Sequence, residues 1–393
     1  MKITEVATIS LGYETPDEPM LRSFALVRIR TDAGHVGYGE ASTSYGHVYP
    51  RVVESIIDNA LARVLVGQDP LDVRARKEDM VRYLSPWIGW EGISSQVIGA
   101  VEIALWDILG KETGLPISRL LGGGGNRIPL YATGTVYFGE DETLGDSRTF
   151  HRRYFDRALE RGFVGIKTRI GHTLEADLAQ IAAAREHIGP NAKLMVDAYW
   201  SYSTRSAIRL SRQMEEFDVY FFEEPMPQWW LEGYSLLCRE SPVAIAVGER
   251  IGSLSGFGLV VRLKAADILQ PDATVCGGIA ECVEVAALGK ACDRIVIPHI
   301  GGLTAVGIAA NLHLASVIGS PMLEYDLDPY QPLRDEILRD AVFALDRIEG
   351  GYLVVPDGPG LGIEVNESVF EEFAYRPGKI YPDIFPQFGL GRI

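Results

Sequence analysis

Hydrophobic and polar positions follow different periodicities in the two parts of this chain. In the first part, two alternating apolar stretches within residues 24–41 flank a turn at residues 32–34, and this pattern predicts a β-hairpin. Residues 52–64 and 71–84 have helical patterns, and the apolar positions between residues 97 and 109 predict the clearest helix. The first part is therefore expected to be a small α+β domain.

Four consecutive glycines at residues 122–125 follow, and we interpret them as a domain hinge. Beyond them, short apolar stretches typical of strands alternate with helical patterns. Eight strands spaced by helices predict a parallel barrel, with a doubly wound sheet as the alternative. We expect the tail from residue 352 to pack back on the first domain. The expected strands cover residues 131–136, 163–169, 193–198, 219–224, 243–249, 267–272, 294–299 and 321–325.

Composition limits the partners that this protein can have. With 37 basic and 53 acidic residues the formal net charge is −16, which argues against nucleic acid and against anionic membrane surfaces. The four cysteines form no CxxC pair, and we expect them to be reduced thiols. Residues 1–5 lack the long apolar run expected of a signal peptide, and no segment reaches the roughly 18 uninterrupted apolar residues expected of a membrane span. We therefore expect a cytoplasmic protein, a homo-oligomer with neither nucleic-acid nor membrane partners.

Three carboxylates stand at the C-terminal ends of neighbouring strands, the end of a barrel that holds the active site. Asp197, Glu223 and Glu249 end the third, fourth and fifth expected strands at intervals of 26 residues. Taken singly, each could cap a helix or form a surface ion pair. Together they would repel one another unless a cation held them. Mg²⁺ suits a site with few carboxylates and open positions for water and substrate oxygens.

An acid–base pair is predicted on the next two strands. Asp272 and His299 end the sixth and seventh strands, 27 residues apart. The carboxylate would orient the imidazole and raise its basicity, so His299 is a candidate general base. A satisfied core histidine is the alternative, although a Pro-His-Ile-Gly-Gly strand end is a poor core site. On the second strand, alternation places Lys167 and Arg169 on one face.

This ordered set of motifs resembles the enolase superfamily, and within it the mandelate racemase subgroup. The resemblance covers nearly the whole chain, and the order of the motifs is more specific than any one of them. The motifs are Gly37-Tyr38-Gly39-Glu40, Ala104-Leu105-Trp106-Asp107, Lys167-Thr168-Arg169, Asp197, Glu223-Glu224-Pro225, Gly248-Glu249, Pro271-Asp272, His299, Glu324 and Pro359-Gly360-Leu361-Gly362.

The resemblance implies an α/β fold with two domains. A modified TIM barrel, (β/α)7β, would cover residues 126–351, and an α+β capping domain would cover residues 1–125 with the tail at about 352–393. It also implies Mg²⁺ on the three carboxylates named above, an Asp272–His299 dyad, and a contact from Glu324 to the carboxylate or enediolate of the substrate. The shared chemistry is removal of the proton next to a carboxylate, with cations stabilising the enediolate.

One departure from the subgroup bears on the reaction. Members with two opposed bases typically carry Lys-x-Lys on the second strand, whereas this chain has Arg169 at the second position. A guanidinium stays protonated, so Arg169 is better suited to be a fixed charge or a carboxylate clamp. Lys167 is expected to support a metal-bound carboxylate. One good base, His299, favours dehydration of a sugar acid over racemisation.

The predicted activity is therefore that of an acid-sugar dehydratase, a lyase that forms a 2-keto-3-deoxy acid from a small-molecule carboxylate. A racemase, epimerase or cycloisomerase on the same scaffold is the first alternative. A non-catalytic protein that binds metal or sugar acids is the second, because fold alone does not decide function.

Specificity is expected to come from loops over the barrel mouth. By resemblance, the loops at residues 12–20 and 43–50 would close over it, so Tyr45 and His47 could bind substrate hydroxyls. Tyr199, just after Asp197, could line the same pocket. Ordinary exposed loop aromatics are an equally open interpretation of Tyr45 and His47.

Overall fold

A three-stranded antiparallel sheet forms the first layer of the fold. The computed structural model describes residues 1–16, 21–42, 49–134, 156–328 and 330–378. The sheet has the order β1 (Ile3–Glu14), β2 (Leu21–Thr31), β3 (Val36–Ala41). The predicted hairpin is confirmed as β2–β3, whereas β1 was not predicted from its pattern.

Helices cover one face of this sheet. The longest, α4, is buried along nearly its whole length and packs on β3. Its length and apolar composition would suffice to cross a membrane, but in this fold it is the central core helix of the first part of the chain. The helices are α1 (Pro50–Ile56), which runs through a π-helical turn (Ile57–Leu61) into α2 (Ala62–Leu65), then α3 (Val73–Ile88), α4 (Ile93–Thr113) and α5 (Ile117–Leu120).

Two glycines of β3 allow its close approach to α4. A Cβ atom on Gly37 would lie 2.2 Å from the Ala104 carbonyl oxygen, and one on Gly39 would lie 1.9 Å from that of Ala100. Both obstacles are backbone atoms, which cannot rotate away as a side chain can.

We expect Gly39→Ala to lower the free energy of unfolding by at least about 1–3 kcal/mol, the usual cost of overpacking. Urea denaturation measures this loss. Gly124→Ala is the control, because its Cβ would have no heavy atom within 4 Å. Equal stability of the two variants would contradict the packing described for β3 and α4.

Eight parallel strands form the second part of the fold, and the barrel prediction is confirmed. Their hydrogen-bonded order is β10-β9-β8-β7-β6-β5-β4-β11. At the remaining seam, the Ser320 hydroxyl donates to the Val296 carbonyl oxygen over 3.4 Å. The strands are β4 (Arg127–Thr133), β5 (Gly165–Arg169), β6 (Lys193–Asp197), β7 (Val219–Glu223), β8 (Ile245–Val247), β9 (Ile268–Leu269), β10 (Ile295–Val296) and β11 (Leu323–Asp326).

Helices alternate with these strands and carry the apolar residues that pack against the barrel wall. A short strand, β12 (Tyr352–Val354), pairs antiparallel with β4. The helices are α6 (residues 156–160), α7 (Leu174–Ile188), α8 (Thr204–Met214), α9 (Leu231–Glu240), α10 (Leu254–Arg262), α11 (Ile279–Ala291), α12 (Ala305–Ile318) and α13 (Pro332–Asp335), with 3-10 turns at Glu215–Phe217, Leu345–Arg347 and Glu367–Val369.

The residues after β12 contact the first part of the chain. The backbone N–H of Gly12 donates to the carbonyl of Phe373 over 2.8 Å, and that of Tyr375 donates to the carbonyl of Ser10 over 3.0 Å. These two hydrogen bonds join the tail to β1, which is compatible with the prediction that the tail packs back on the first domain. The exact domain limits stay a prediction.

A buried histidine joins α12 to α5 and the tail. The His313 Nδ1 accepts from the Ser118 backbone N–H (3.3 Å), and its Nε2 lies 3.1 Å from the Leu361 carbonyl oxygen. This arrangement suits a neutral ring that donates through Nε2. Burial lowers the pKa of His313 to about 4.

The His313 pKa predicts an acid sensitivity of the fold. A depressed folded-state pKa means that the unfolded chain binds the extra proton first, so stability is complete above about pH 6.5 and falls as the pH drops towards 4. The difference between the unfolded-state and folded-state pKa values of His313 corresponds to about 3 kcal/mol in the free energy of unfolding. Urea unfolding at pH 7 and pH 4.5 should therefore show a smaller pH-dependent loss in His313→Gln than in the wild type. An identical loss in both would refute this role for His313.

Candidate active site

The C-terminal ends of the barrel strands bring eight polar side chains together inside the protein. They come from β5, β6, β7 and β11 and from the loops that follow β8, β9 and β10, and all are at most 2% exposed. This strand-end cluster comprises Lys167, Arg169, Asp197, Glu223, Glu249, Asp272, His299 and Glu324.

Lys167 occupies the centre of the strand-end cluster. Its Nζ lies 2.8 and 2.9 Å from the two carboxylate oxygens of Glu223 and 2.7 Å from Oε1 of Glu324. Asp197 Oδ2 lies 3.7 Å away. Burial lowers the pKa of Lys167, but the charges of Glu223 and Glu324 outweigh it and raise that pKa well above the ordinary value. Lys167 is therefore a fixed positive charge in this arrangement.

Arg169 supplies a second fixed charge beside it. Its Nη1 is hydrogen-bonded to Asp197 Oδ2. From α7, the Gln180 side chain donates to the Thr168 hydroxyl (2.9 Å) and to the Arg169 carbonyl, which holds the end of β5 in place. The prediction that Lys167 and Arg169 share a face agrees with their contacts, since both reach Asp197.

Asp272 and His299 form the predicted pair. The His299 Nδ1 lies 3.2 Å from Asp272 Oδ2, and the other oxygen of Asp272 accepts from Thr274 and from the Asn311 side chain. Asp272 is thus held by its own loop and by α12. With Nδ1–H donated to Asp272, the ring presents Nε2 to the barrel interior.

The Nε2 atom of His299 lies between two more carboxylates. It is 3.2 Å from Glu249 Oε2 and 3.7 Å from Glu324 Oε2. Burial lowers the pKa of His299, but the charge of Glu249 and the hydrogen bond that the ring donates to Asp272 outweigh it and raise the pKa well above its usual range. The opposite holds for Glu324, whose pKa lies below its usual value because Lys167 and His299 outweigh burial.

The predicted metal ligands differ in how closely the structure groups them. Donor atoms of Glu223, Glu249 and His299 lie within 4.8 Å of one another and could hold a metal ion. Asp197 belongs to the same cluster but directs Oδ2 at Arg169, and its Oδ1 accepts from the Tyr199 backbone N–H over 3.0 Å. The assignment of Asp197, Glu223 and Glu249 as metal ligands therefore remains a prediction.

The charges of the strand-end cluster fit a cation. Five carboxylates face two permanent cations, and all of these groups are buried. Burial raises the pKa of Glu223 to about 7; Lys167 opposes this rise, and the charges of Asp197 and Glu324 add to it. Such an excess of negative charge in a desolvated site is costly unless a cation is present. A hard divalent ion, which prefers oxygen ligands, matches this donor set.

A second group of side chains lies next to the cluster, and the sequence analysis assigned a site role to only one of them, Tyr199. The buried Glu224 accepts from the Trp200 indole N–H (2.6 Å) and from Arg250 (2.9 Å). Arg250 also contacts Glu249, and its guanidinium stacks on the rings of Tyr199 and Trp200 at 5.0 and 4.6 Å. Arg250 therefore offsets the charge of Glu224 beside Glu249.

This group depends on backbone conformations that are uncommon outside glycine. Tyr199, Trp200 and Glu224 have φ values of 45°, 62° and 37°. Such strain tends to persist at functional sites. The doubled acid Glu223-Glu224 and the aromatic pair after Asp197 were the available sequence signals.

The predicted substrate-binding residues have different outcomes. Tyr45 and His47 lie outside the described residues. Tyr199 lies beside the cluster, where it stacks on Trp200 and Arg250, so its position is compatible with a pocket wall.

A parallel (β/α) barrel with carboxylates, buried cations and an Asp–His pair at its strand ends has the architecture of a barrel enzyme, whose active site lies at that end. Residues 16–122 match the N-terminal domain of the mandelate racemase / muconate lactonizing enzyme family, and residues 151–369 match the enolase C-terminal domain-like family. The chain belongs to the enolase superfamily, in its mandelate racemase subgroup, as the motifs predicted.

Its relatives have several activities. Arabinonate dehydratase of Saccharolobus solfataricus is 35% identical over 88% of this chain and 89% of its own. D-galactarolactone cycloisomerase of Agrobacterium fabrum is 34% identical over 95% of this chain and 99% of its own. The crystal structure of a racemase from Streptomyces coelicolor with bound magnesium superposes with a TM-score of 0.81 at 28% identity, covering 95% of this chain and 100% of the other. The chain is thus similar to dehydratases, cycloisomerases and racemases.

Proposed function

We propose that this protein is a Mg²⁺-dependent, cytoplasmic acid-sugar dehydratase that converts a 2,3-dihydroxy acid to a 2-keto-3-deoxy acid. The observation that carries the proposal is the arrangement of one imidazole against two fixed cations. His299 is oriented by Asp272, while Lys167 and Arg169 are held in their charged forms by carboxylates. Within the strand-end cluster, His299 is therefore the candidate base, in the neutral form that a Mg²⁺ ion held by Glu249 would favour by offsetting the carboxylate charge that raises the His299 pKa.

The residues of the strand-end cluster would have separate roles in the reaction. Asp272 keeps the His299 ring oriented, and Nε2 removes the proton from C2 of the substrate. The electron pair left at C2 is delocalised into the carboxylate, where Lys167 and Arg169 supply positive charge as the enediolate forms. A bound Mg²⁺, which Asp197, Glu223 and Glu249 would hold, would add Lewis-acid stabilisation of that charge.

The second half of the reaction breaks the bond from C3 to its hydroxyl group. The electron pair of the enediolate forms the C2–C3 double bond and expels the hydroxyl, which takes the proton from the His299 imidazolium and leaves as water. The resulting enol then becomes the 2-keto acid by accepting a solvent proton at C3 and releasing the proton of its 2-hydroxyl group to solvent. Glu324, 3.7 Å from Nε2 and 2.7 Å from Lys167, lies where it would contact the substrate carboxylate or the enediolate.

A screen of mono- and diacid sugars tests the proposal. We expect formation of a 2-keto-3-deoxy acid that requires Mg²⁺ and stops when the ion is chelated. Undiminished turnover in excess chelator would refute the metal assignment, and turnover without a 2-keto product would refute the dehydratase assignment.

A cycloisomerase is the second candidate, favoured by the similarity to the galactarolactone enzyme over almost the whole chain. The screen should therefore include sugar-acid lactones. Ring opening of a lactone, with no 2-keto-3-deoxy acid formed from the mono- and diacid sugars, would favour this second function.

A further inference from the structure

Two buried carboxylates of the first part of the chain bind the N-termini of successive barrel helices. Glu40, at the end of β3, accepts from the backbone N–H groups of Thr304 (3.1 Å) and Gly307 (2.9 Å) and from the Thr304 hydroxyl. These groups begin α12. Unpaired N–H groups at a helix start favour a negative charge, so this is a strong inter-element contact.

Glu102, in α4, makes the equivalent contact to α11. Its carboxylate accepts from the backbone N–H groups of Ile279 (2.8 Å) and Ala280 (2.9 Å) and from the Trp106 indole. Glu40 and Glu102 are both fully buried. The two contacts therefore tie α11 and α12 to elements of the first part of the chain.

Each of these helices has a glycine at its N-cap or in its first turn that makes room for the carboxylate. A Cβ on Gly307 would lie 2.7 Å from Glu40 Oε2, and one on Gly278 would lie 2.2 Å from Glu102 Oε2. Because a glycine lies beside the carboxylate near both helix N-termini, both helices can accept the carboxylate at close range.

The two helices follow the two members of the acid–base pair. Asp272 precedes α11, and His299 precedes α12. The connection to α12 is also direct, because Asn311 of this helix donates to Asp272 over 2.9 Å. In the loop between His299 and α12, the Ile300 backbone N–H donates to Glu324 over 3.2 Å.

We propose that Glu40 and Glu102 are positioning residues for the Asp272–His299 pair, so that the region before the barrel sets the geometry of proton transfer as well as covering the barrel. The inference rests on the proposed function in one respect, namely that turnover reports on this pair. A shift of about 1 Å in a reacting group can cost about 10²-fold in rate, so small movements of α11 and α12 would be measurable.

The test compares Glu40→Gln and Glu102→Gln with Asp107→Asn. Asp107 is a suitable control because it is also a buried carboxylate of α4, yet its partners among the described residues are the Leu361 and Tyr38 backbone N–H groups (2.9 and 3.1 Å) and the Lys111 side chain (2.7 Å), none of which belongs to a barrel helix. All three variants should unfold more easily. Only Glu40→Gln and Glu102→Gln should lose about 10–100-fold in kcat, with KM and the midpoint of a Mg²⁺ titration changed less than about threefold.

Nitrogen-15 NMR of labelled histidine provides a readout that does not depend on turnover. The His299 ring resonances, identified by their loss in His299→Asn, should shift in Glu40→Gln and Glu102→Gln and stay in place in Asp107→Asn. Gly307→Ala tests the Glu40 contact with the carboxylate intact and should produce the same shift, even if Glu40→Gln fails to fold. Unchanged His299 resonances in these variants, whatever their turnover, would overturn the inference. If the wild type turns over no acid sugar, only the proposed function is refuted. The His299 resonances would still test whether Glu40 and Glu102 position the Asp272–His299 pair.

Discussion

Replacing His299 with asparagine is expected to abolish turnover while the protein stays folded and still binds Mg²⁺. Asparagine can occupy the space of the ring but cannot accept the C2 proton at neutral pH. Loss of a positioned acid–base group costs about 10²–10⁴ in rate, and the cost is greater if the same group also protonates the departing hydroxyl. Steady-state kinetics on the best substrate from the screen, together with thermal unfolding and Mg²⁺ titration, measure the three properties.

His35→Asn is the matched control for this experiment. His35 is partly exposed and pairs with Glu112 over 2.8 Å, far along the chain from the strand-end cluster. Its replacement should leave kcat within about twofold, as surface changes usually have small effects. Wild-type activity in His299→Asn, with an unchanged melting temperature, would refute the assignment of His299 as the base.

Glu223→Gln is expected to weaken Mg²⁺ binding and to reduce activity in parallel. The change preserves shape but removes the negative charge that Lys167 contacts through both carboxylate oxygens. It also places an amide NH2 group near Nζ and near the Gln270 side chain, which donates to Oε2 over 3.0 Å. Changes around metal ligands cost about 10–100-fold in affinity, so loss of a ligand charge should cost at least the upper end of that range.

Calorimetric titration with Mg²⁺ measures the affinity, and Glu240→Gln serves as the control. Glu240 is an exposed carboxylate that pairs with Arg212 over 2.7 Å. High Mg²⁺ concentrations should restore part of the activity of Glu223→Gln if the defect is in binding. Unaltered Mg²⁺ affinity in this variant would remove Glu223 from the ligand set.

The barrel strands could be predicted because each apolar stretch ends at a polar residue. Asp197 and Glu223 follow buried strand residues directly, and equal spacing along the chain corresponds to one βα unit. Since parallel strands end at the same rim, this periodicity was enough to place the two carboxylates together. The Asp272–His299 contact at 3.2 Å follows from the same logic.

Contacts that depend on backbone conformation or on distant segments could not be predicted in this way. Arg250 reaches Glu224 and the ring of Trp200 because Trp200 adopts a positive φ, which no local pattern encodes. The role of Glu40 was equally hidden, because its motif precedes the helix that it contacts by more than 260 positions. The periodicity of the sequence predicts individual helices and strands, but it does not predict contacts between elements that are distant along the chain.

Arg169 is the residue on which the choice of reaction depends most. Its guanidinium is hydrogen-bonded to Asp197 and stays protonated, so it cannot act as a second base opposite His299. A racemase needs a base on each face of the substrate carbon, whereas dehydration through His299 needs one. Dehydration through His299 alone therefore has a stereochemical consequence that does not depend on which sugar acid is the substrate.

Incubation of both C2 epimers of the best substrate in D₂O, followed by proton NMR, tests this claim most directly. We expect the wild type to consume only the epimer whose C2 hydrogen faces His299. The product should be a 2-keto-3-deoxy acid with one solvent deuterium at C3, and the other epimer should stay unlabelled at C2. Exchange of the C2 protons of both epimers at similar rates would show two working bases and would replace the dehydratase with a racemase or epimerase.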